Sequence, residues 1–180
     1  MNKTRKNDVH PVARADAGEL TITGLVSYRL QLVGNLMSRS AAMHYRRRFD
    51  VSLWEWRTIA LLGARPDQTL NELAKVVDLD KGLASRVISA LAERGLVQRR
   101  ADEQDARAVR LSLSPAGGKL YKQLIKAAAA RNDAFLKALT PEEWAVLDRA
   151  LVKLEQVGRA SIEEEKQLAA SEGPPKSPSK

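Results

Sequence analysis

The chain has 180 residues, no cysteine, two histidines and a formal net charge of +8. It therefore has no disulfide, thiolate metal site, nucleophilic thiol or cysteine-based redox sensor, and His10 and His44 are too few for a histidine zinc site, so no metal or cofactor is expected. The length suits one domain with its own core, the charge favours a polyanionic partner, and neither a membrane span of ~18 apolar residues nor a signal-peptide core is present, so a cytoplasmic protein is expected.

Residues 1–18 are polar, basic and without period, a flexible arm carrying Lys3, Arg5, Lys6 and Arg14. From about Leu20 to Phe49 the spacing of Leu25, Tyr28, Leu32, Leu36 and Met43 predicts one long helix. Arg39 falls in the middle of that apolar stripe and Asn35 on its flank. A guanidinium there needs a partner, either an acidic residue of the same or a second subunit or an anionic ligand that suits its planar fork. Asn35 and Arg39 are thus candidate effector-binding residues.

Ser52 with Glu55 forms the S-x-x-E pattern of a capping box, opening a second helix over about Leu53 to Leu62. It carries Trp54 and Trp56, which belong either to the core or to the wall of an aromatic-ligand pocket. Pro66 ends this stretch. A short helix follows from Thr69-Leu70-Asn71-Glu72, with Leu70, Leu73, Ala74 and Val77 as its apolar side. After the turn Asp78-Leu79-Asp80, Asp80 is placed to cap a helix from Lys81 to about Arg94, closed by Gly95.

Two short helices joined by a tight turn give a helix-turn-helix, whose second helix enters the major groove. Its wheel puts Leu83, Ala84, Val87, Ile88 and Leu91 toward the core. Gly82, Ser85, Arg86 and Ser89 lie opposite, small groups that admit close approach plus one Arg able to grip guanine or phosphate. The competing reading is an ordinary solvated face. Leu96–Arg100 and Val109–Leu113 then read as two strands of a hairpin with a charged tip. Such a wing would lay Arg107 along the minor groove with Asp105 orienting it, and leave Arg99 and Arg100 for the DNA backbone.

The chain closes with a helix from Pro115 whose Leu120, Leu124, Ala127, Phe135 and Ala138 share a face, and a second opened by the capping box Thr140-Pro141-Glu142-Glu143. Trp144, Leu147, Leu151 and Leu154 form a narrow stripe that needs a partner helix. With the first helix it offers more apolar surface than a small winged domain covers, which favours a homodimer. The Pro- and Ser-rich residues 166–180 are expected to be a disordered tail.

Between about Leu20 and Glu164 the sequence resembles the MarR family of bacterial winged-helix transcription regulators. The resemblance rests on Leu91-Ala92-Glu93-Arg94-Gly95-Leu96-Val97, on Asp105-Ala106-Arg107, and on Leu111-Ser112-Leu113-Ser114-Pro115-Ala116-Gly117, in that order. It implies an obligate dimer on a pseudo-palindromic operator, usually a repressor released by a small phenolic or other aromatic anion. Arg107 takes the family's wing-tip arginine position and Asp105 its aspartate, while Ser85 and Arg86 match recognition-helix positions that commonly contact DNA. Gly82 and Leu83 depart from this pattern, standing where many members have Ser or Thr.

The expected fold is thus mainly α with a small β-hairpin wing: a winged helix-turn-helix within a MarR-like domain over residues 19–165. Its DNA-binding lobe covers about 53–114, and helices over about 20–50 and 115–165 form a dimerisation region. The expected function is a homodimeric regulator of double-stranded DNA, most simply a repressor released by an aromatic anion or its thioester. The alternative is a constitutive or architectural DNA-binding protein without an effector. An enzyme has little support, because no phosphate loop or nucleophile motif is present.

Overall fold

The computed structural model describes residues 21–77, 80–102 and 109–172, and divides after Lys126 into two compact units. In the first, a 3-10 turn (Ile22–Gly24) leads into α1 (Val26–Phe49), then α2 (Leu53–Ala64), β1 (Gln68–Thr69), α3 (Leu70–Val77), α4 (Lys81–Glu93), β2 (Val97–Ala101), β3 (Val109–Leu113) and the first half of α5 (Pro115–Leu136). The second holds the rest of α5 and α6 (Pro141–Glu172). This is a mainly α chain with a three-stranded antiparallel sheet in the order β1-β3-β2.

The long first helix starts later than its periodicity suggests. Leu25 is extended, and α1 begins at Val26 because the Thr21–Leu25 segment closes its backbone bonds as a 3-10 turn. At its far end Asp50 adopts a left-handed conformation and accepts a hydrogen bond from Arg46 at 3.0 Å. Val51, fully buried, then directs the chain into α2. There the capping box is complete, since Glu55 N–H donates to Ser52 Oγ and Ser52 N–H donates to Glu55.

The core of the first unit is built from Tyr45, Val51, Ile59, Leu62, Leu73, Ala74, Ala84, Val87, Ile88, Leu91, Val97, Leu111 and Leu124. The apolar side read from the wheel of α4 therefore does face inward, with Leu83 half-buried at its margin. Tyr45 is the one buried residue of α1. The earlier part of that helix presents Val26, Leu30, Leu32, Val33, Leu36 and Met37 to solvent.

Two glycines are required where they stand. Gly95 has φ +67°, and around it Leu96 N–H reaches Leu91 O while Gly95 N–H reaches Ala92 O, the paired bonds that close a helix through a left-handed residue. At Gly117 a Cβ would lie 2.0 Å from the Leu96 carbonyl oxygen, so only glycine lets the start of α5 pass this close to the sheet. Ser114 completes the junction by donating to Gly95 O at 2.6 Å and accepting from Gly117 N–H at 3.0 Å.

In the second unit Thr140 and Glu143 form the expected reciprocal cap of α6. Two expectations are corrected. The helix from Pro115 ends at Leu136, which leaves Ala138 in the following turn. In the other direction, α6 continues to Glu172, so residues 166–172 are helical and not part of a tail; i,i+4 and i,i+3 pairs such as Arg159–Glu155 and Lys166–Glu163 extend it beyond its apolar start. Residues 173–180, like the arm of residues 1–18, lie outside the described residues.

Candidate nucleic-acid interface

The exposed side of α4 is set by its ends. Asp80 caps the helix by accepting from Leu83 N–H at 2.9 Å. At the other end Arg94 donates to Glu55 at 2.9 Å, the same carboxylate that caps α2, so the two helices share one buried acid. Held this way, α4 turns Gly82, Ser85 and Arg86 outward. Arg86 has no ion-pair partner among the described residues. Ser89 is half-buried and accepts a hydrogen bond from Arg99 on β2 at 2.9 Å. Of the four residues read as the solvent face of this helix, Ser85 and Ser89 thus adjoin the middle of the hairpin.

A cleft of about 190 Å³ marks the seam between that helix and the sheet, lined by Leu70, Ser85, Ile88, Arg99, Val109 and Leu111. Arg100 is not among its lining residues and lies 3.6 Å from Asp67, its side chain still 61% exposed. The wing-tip residues Asp105 and Arg107 lie outside the described residues.

The sequence reading missed a cluster behind the hairpin. Arg110 of β3 donates through Nε to Asp102 and through Nη1 to the Asp67 carbonyl at 3.1 Å, and lies 3.8 Å from Glu72. Asp102, otherwise readable as one more solvated acid of the loop, is consumed here. The hydrogen bond to Asp102, ahead of the charges around it, raises Arg110 above its ordinary pKa. Glu72 is held below the usual glutamate range mainly by hydrogen bonds from the Thr69 backbone and hydroxyl, with Arg110 adding to the effect. The strand register shows why the acids are needed: Arg100 and Arg110 sit directly opposite each other, and two like charges so placed call for carboxylates nearby.

The candidate effector residues are scattered differently from expectation. Asn35 and Arg39 are exposed on α1 in the single chain, so no partner for Arg39 comes from the described residues of its own subunit. Trp54 and Trp56 are half-buried. Trp54 carries the Arg57 guanidinium 4.8 Å from its ring centre, and Trp56 stacks at a tilt on Tyr45 with centroids 4.9 Å apart. Trp56 also lines an open cleft of about 310 Å³ with Arg57, Ala60, Leu61 and Val76. The sequence reading had named Trp56 but not Arg57.

A helix-turn-helix whose second helix exposes a small-residue and Arg face beside a β-hairpin defines a winged-helix DNA-binding protein. Comparison with known proteins agrees. The MarR family model matches residues 49–108, from the end of α1 past β2 to the residue before β3. The HTH-type transcriptional regulator BilQ of Clostridium symbiosum is 30% identical over 104 residues, 58% of this chain and 72% of BilQ. The crystal structure of Streptococcus pneumoniae FabT in complex with DNA superposes with a TM-score of 0.66 at 26% identity, covering 75% of this chain and 96% of FabT. A MarR/EmrR family regulator from Acinetobacter sp. ADP1 shares the fold with a TM-score of 0.71 at 22% identity, over 78% of this chain and 99% of that one.

The chain belongs to the MarR family of DNA-binding transcriptional regulators. Among the described residues no helix is long and apolar enough to cross a membrane, and no group of three or more acidic or histidine side chains is gathered for a metal ion.

Proposed function

We propose that the protein is a homodimeric repressor that binds a pseudo-palindromic operator and is released from it by a small aromatic anion. The observation that carries the reading is the outward face of α4, Gly82, Ser85 and Arg86, joined to the hairpin through Ser89 and Arg99. In this reading Ser85 and Arg86 meet base edges, Arg99 and Arg100 meet phosphates, and the wing tip with Asp105 and Arg107 reaches the minor groove. FabT, crystallised with DNA, supports the orientation by likeness of fold. The lobe from about 53 to 114 does the reading, and the terminal helices pair two copies.

Pairing is supported by two apolar faces left in solvent by the single chain. One is Val26, Leu32, Val33 and Leu36 on α1; the other is Trp144, Leu147, Leu151 and Leu154 on α6. Two reading heads related by a two-fold axis would span half-sites about one helical turn apart.

For release, the Trp56–Arg57 cleft offers an aromatic wall and a guanidinium, the chemistry that suits an aromatic carboxylate. Asn35 and Arg39 remain candidate ligand groups once a second copy covers α1. Release then requires the ligand to prefer the head spacing that does not fit DNA. A constitutive DNA-binding protein without effector is favoured by one observation, the exposure of Arg39 away from both clefts.

The test is titration of the protein onto the duplex upstream of its own gene, repeated with a panel of aromatic acids and their thioesters. Loss of binding that is weakened by Arg57→Ala or Arg39→Ala supports the sensor; binding indifferent to every acid supports the constitutive reading. Failure to prefer that duplex over a mixed-sequence one would remove autoregulation and sequence-specific binding at that site.

A further inference from the structure

Arg110 occupies the central strand of the sheet, opposite Thr69 of β1 on one side and Arg100 of β2 on the other. Two guanidiniums directly across a ladder repel each other. Both are instead drawn to acids, Arg100 toward Asp67 and Arg110 to Asp102 and Glu72. These acids come from separate segments. Asp67 lies in the turn after α2, Glu72 in the first turn of α3, and Asp102 at the end of β2. Asp67 itself holds φ +60°, a conformation uncommon for a non-glycine residue, which turns its carbonyl to Arg110 Nη1.

We propose that Arg110 is a positioning residue for DNA binding: by bridging Asp102, the Asp67 carbonyl and Glu72 it braces the loop-side end of the hairpin's paired strands against the helix-turn-helix without touching DNA. The inference rests on the DNA-binding reading above. The guanidinium suits the task because its Nε and Nη1 donors serve different segments at once, whereas an ammonium is a single point charge. It also offsets acids that would otherwise face a polyanion uncompensated. The side chain of Asp102 is only 8% exposed, so its charge needs a partner close by, and Arg110 supplies one.

The two modes of action, bracing and direct contact, separate in a double-mutant cycle on DNA affinity. Arg110→Leu is made in the parent and in a Glu72→Gln/Asp102→Asn background, and each protein is titrated onto the upstream duplex and a mixed-sequence duplex over a salt series. Circular-dichroism melts confirm that each variant is folded at the assay temperature. In the parent background Arg110→Leu is expected to weaken binding about tenfold or more, the scale of a lost interface interaction. In the Glu72→Gln/Asp102→Asn background the same change should cost at least severalfold less than in the parent, because both charged partners are gone and only the Asp67 carbonyl and neutral amides remain. The slope of log affinity against log salt should stay unchanged. An equal cost in both backgrounds, or a slope reduced by about one, would make Arg110 a phosphate ligand and overturn the proposal. Should Arg110→Leu not fold, Arg110→Lys serves in its place, with a severalfold weakening expected in the parent background and parent-like affinity overturning the brace. If the parent protein itself binds neither duplex, the DNA-binding reading fails and the brace with it; parent binding with the cycle additive refutes the brace alone.

Discussion

Replacing Ser114 by Ala removes one hydroxyl from the point where the recognition helix, the hairpin and α5 meet. That hydroxyl donates to Gly95 O and accepts from Gly117 N–H. The two partners are affected unequally. Gly95 is exposed, so its carbonyl can take up water, whereas Gly117 is buried and its Cα is pressed against the Leu96 carbonyl. Loss of a helix N-cap costs about 1 kcal/mol and a stranded buried amide about 1–3 kcal/mol; because here the amide is the capped group, the two overlap and the expected loss is about 2 kcal/mol. Urea unfolding at one fixed protein concentration should show a lower midpoint at an unchanged slope. Ser114→Thr, which keeps the hydroxyl, should recover most of the loss. A Ser114→Ala protein within about 0.5 kcal/mol of the parent would refute the reasoning, since that is the effect of an ordinary surface change.

Glu72 has a lowered pKa in the folded chain, so its contribution to stability is fully present above the ordinary glutamate range and is lost as pH falls through the lowered folded value. Thermal unfolding followed downward from about pH 5 should therefore show a loss that is smaller in Glu72→Gln, and identical acid profiles would contradict the assignment. The apolar faces of α1 and α6 predict a dimer at micromolar concentration in sedimentation equilibrium, with Leu151→Asp shifting it toward monomer; a monomeric parent protein would contradict the pairing.

Much of this was legible in the residues because local rules and burial agreed. The capping boxes at Ser52 and Thr140, the Asp80 cap and the Gly95 stop each have a local hydrogen-bond solution, and the structure uses all of them. The face of α4 followed from helical period alone. What escaped was tertiary. β1 is two residues long, too short to show a period, and exists because β3 offers it an edge. Arg110 sits on an alternating strand like any solvated residue, and its partners at positions 67, 72 and 102 are brought to it only by the fold. Arg39 lies on an apolar stripe, yet period cannot say whether a stripe is covered by its own chain, and among the described residues it is exposed.

The central claim is that the outward face of α4 reads DNA, and Arg86 tests it most directly because it is exposed and carries no ion pair among the described residues. Affinity of the parent and of Arg86→Ala for the upstream duplex, measured at matched salt, should differ by about 1–3 kcal/mol, with a smaller gap on a mixed-sequence duplex. A folded Arg86→Ala protein that binds the upstream duplex as tightly as the parent would contradict the account.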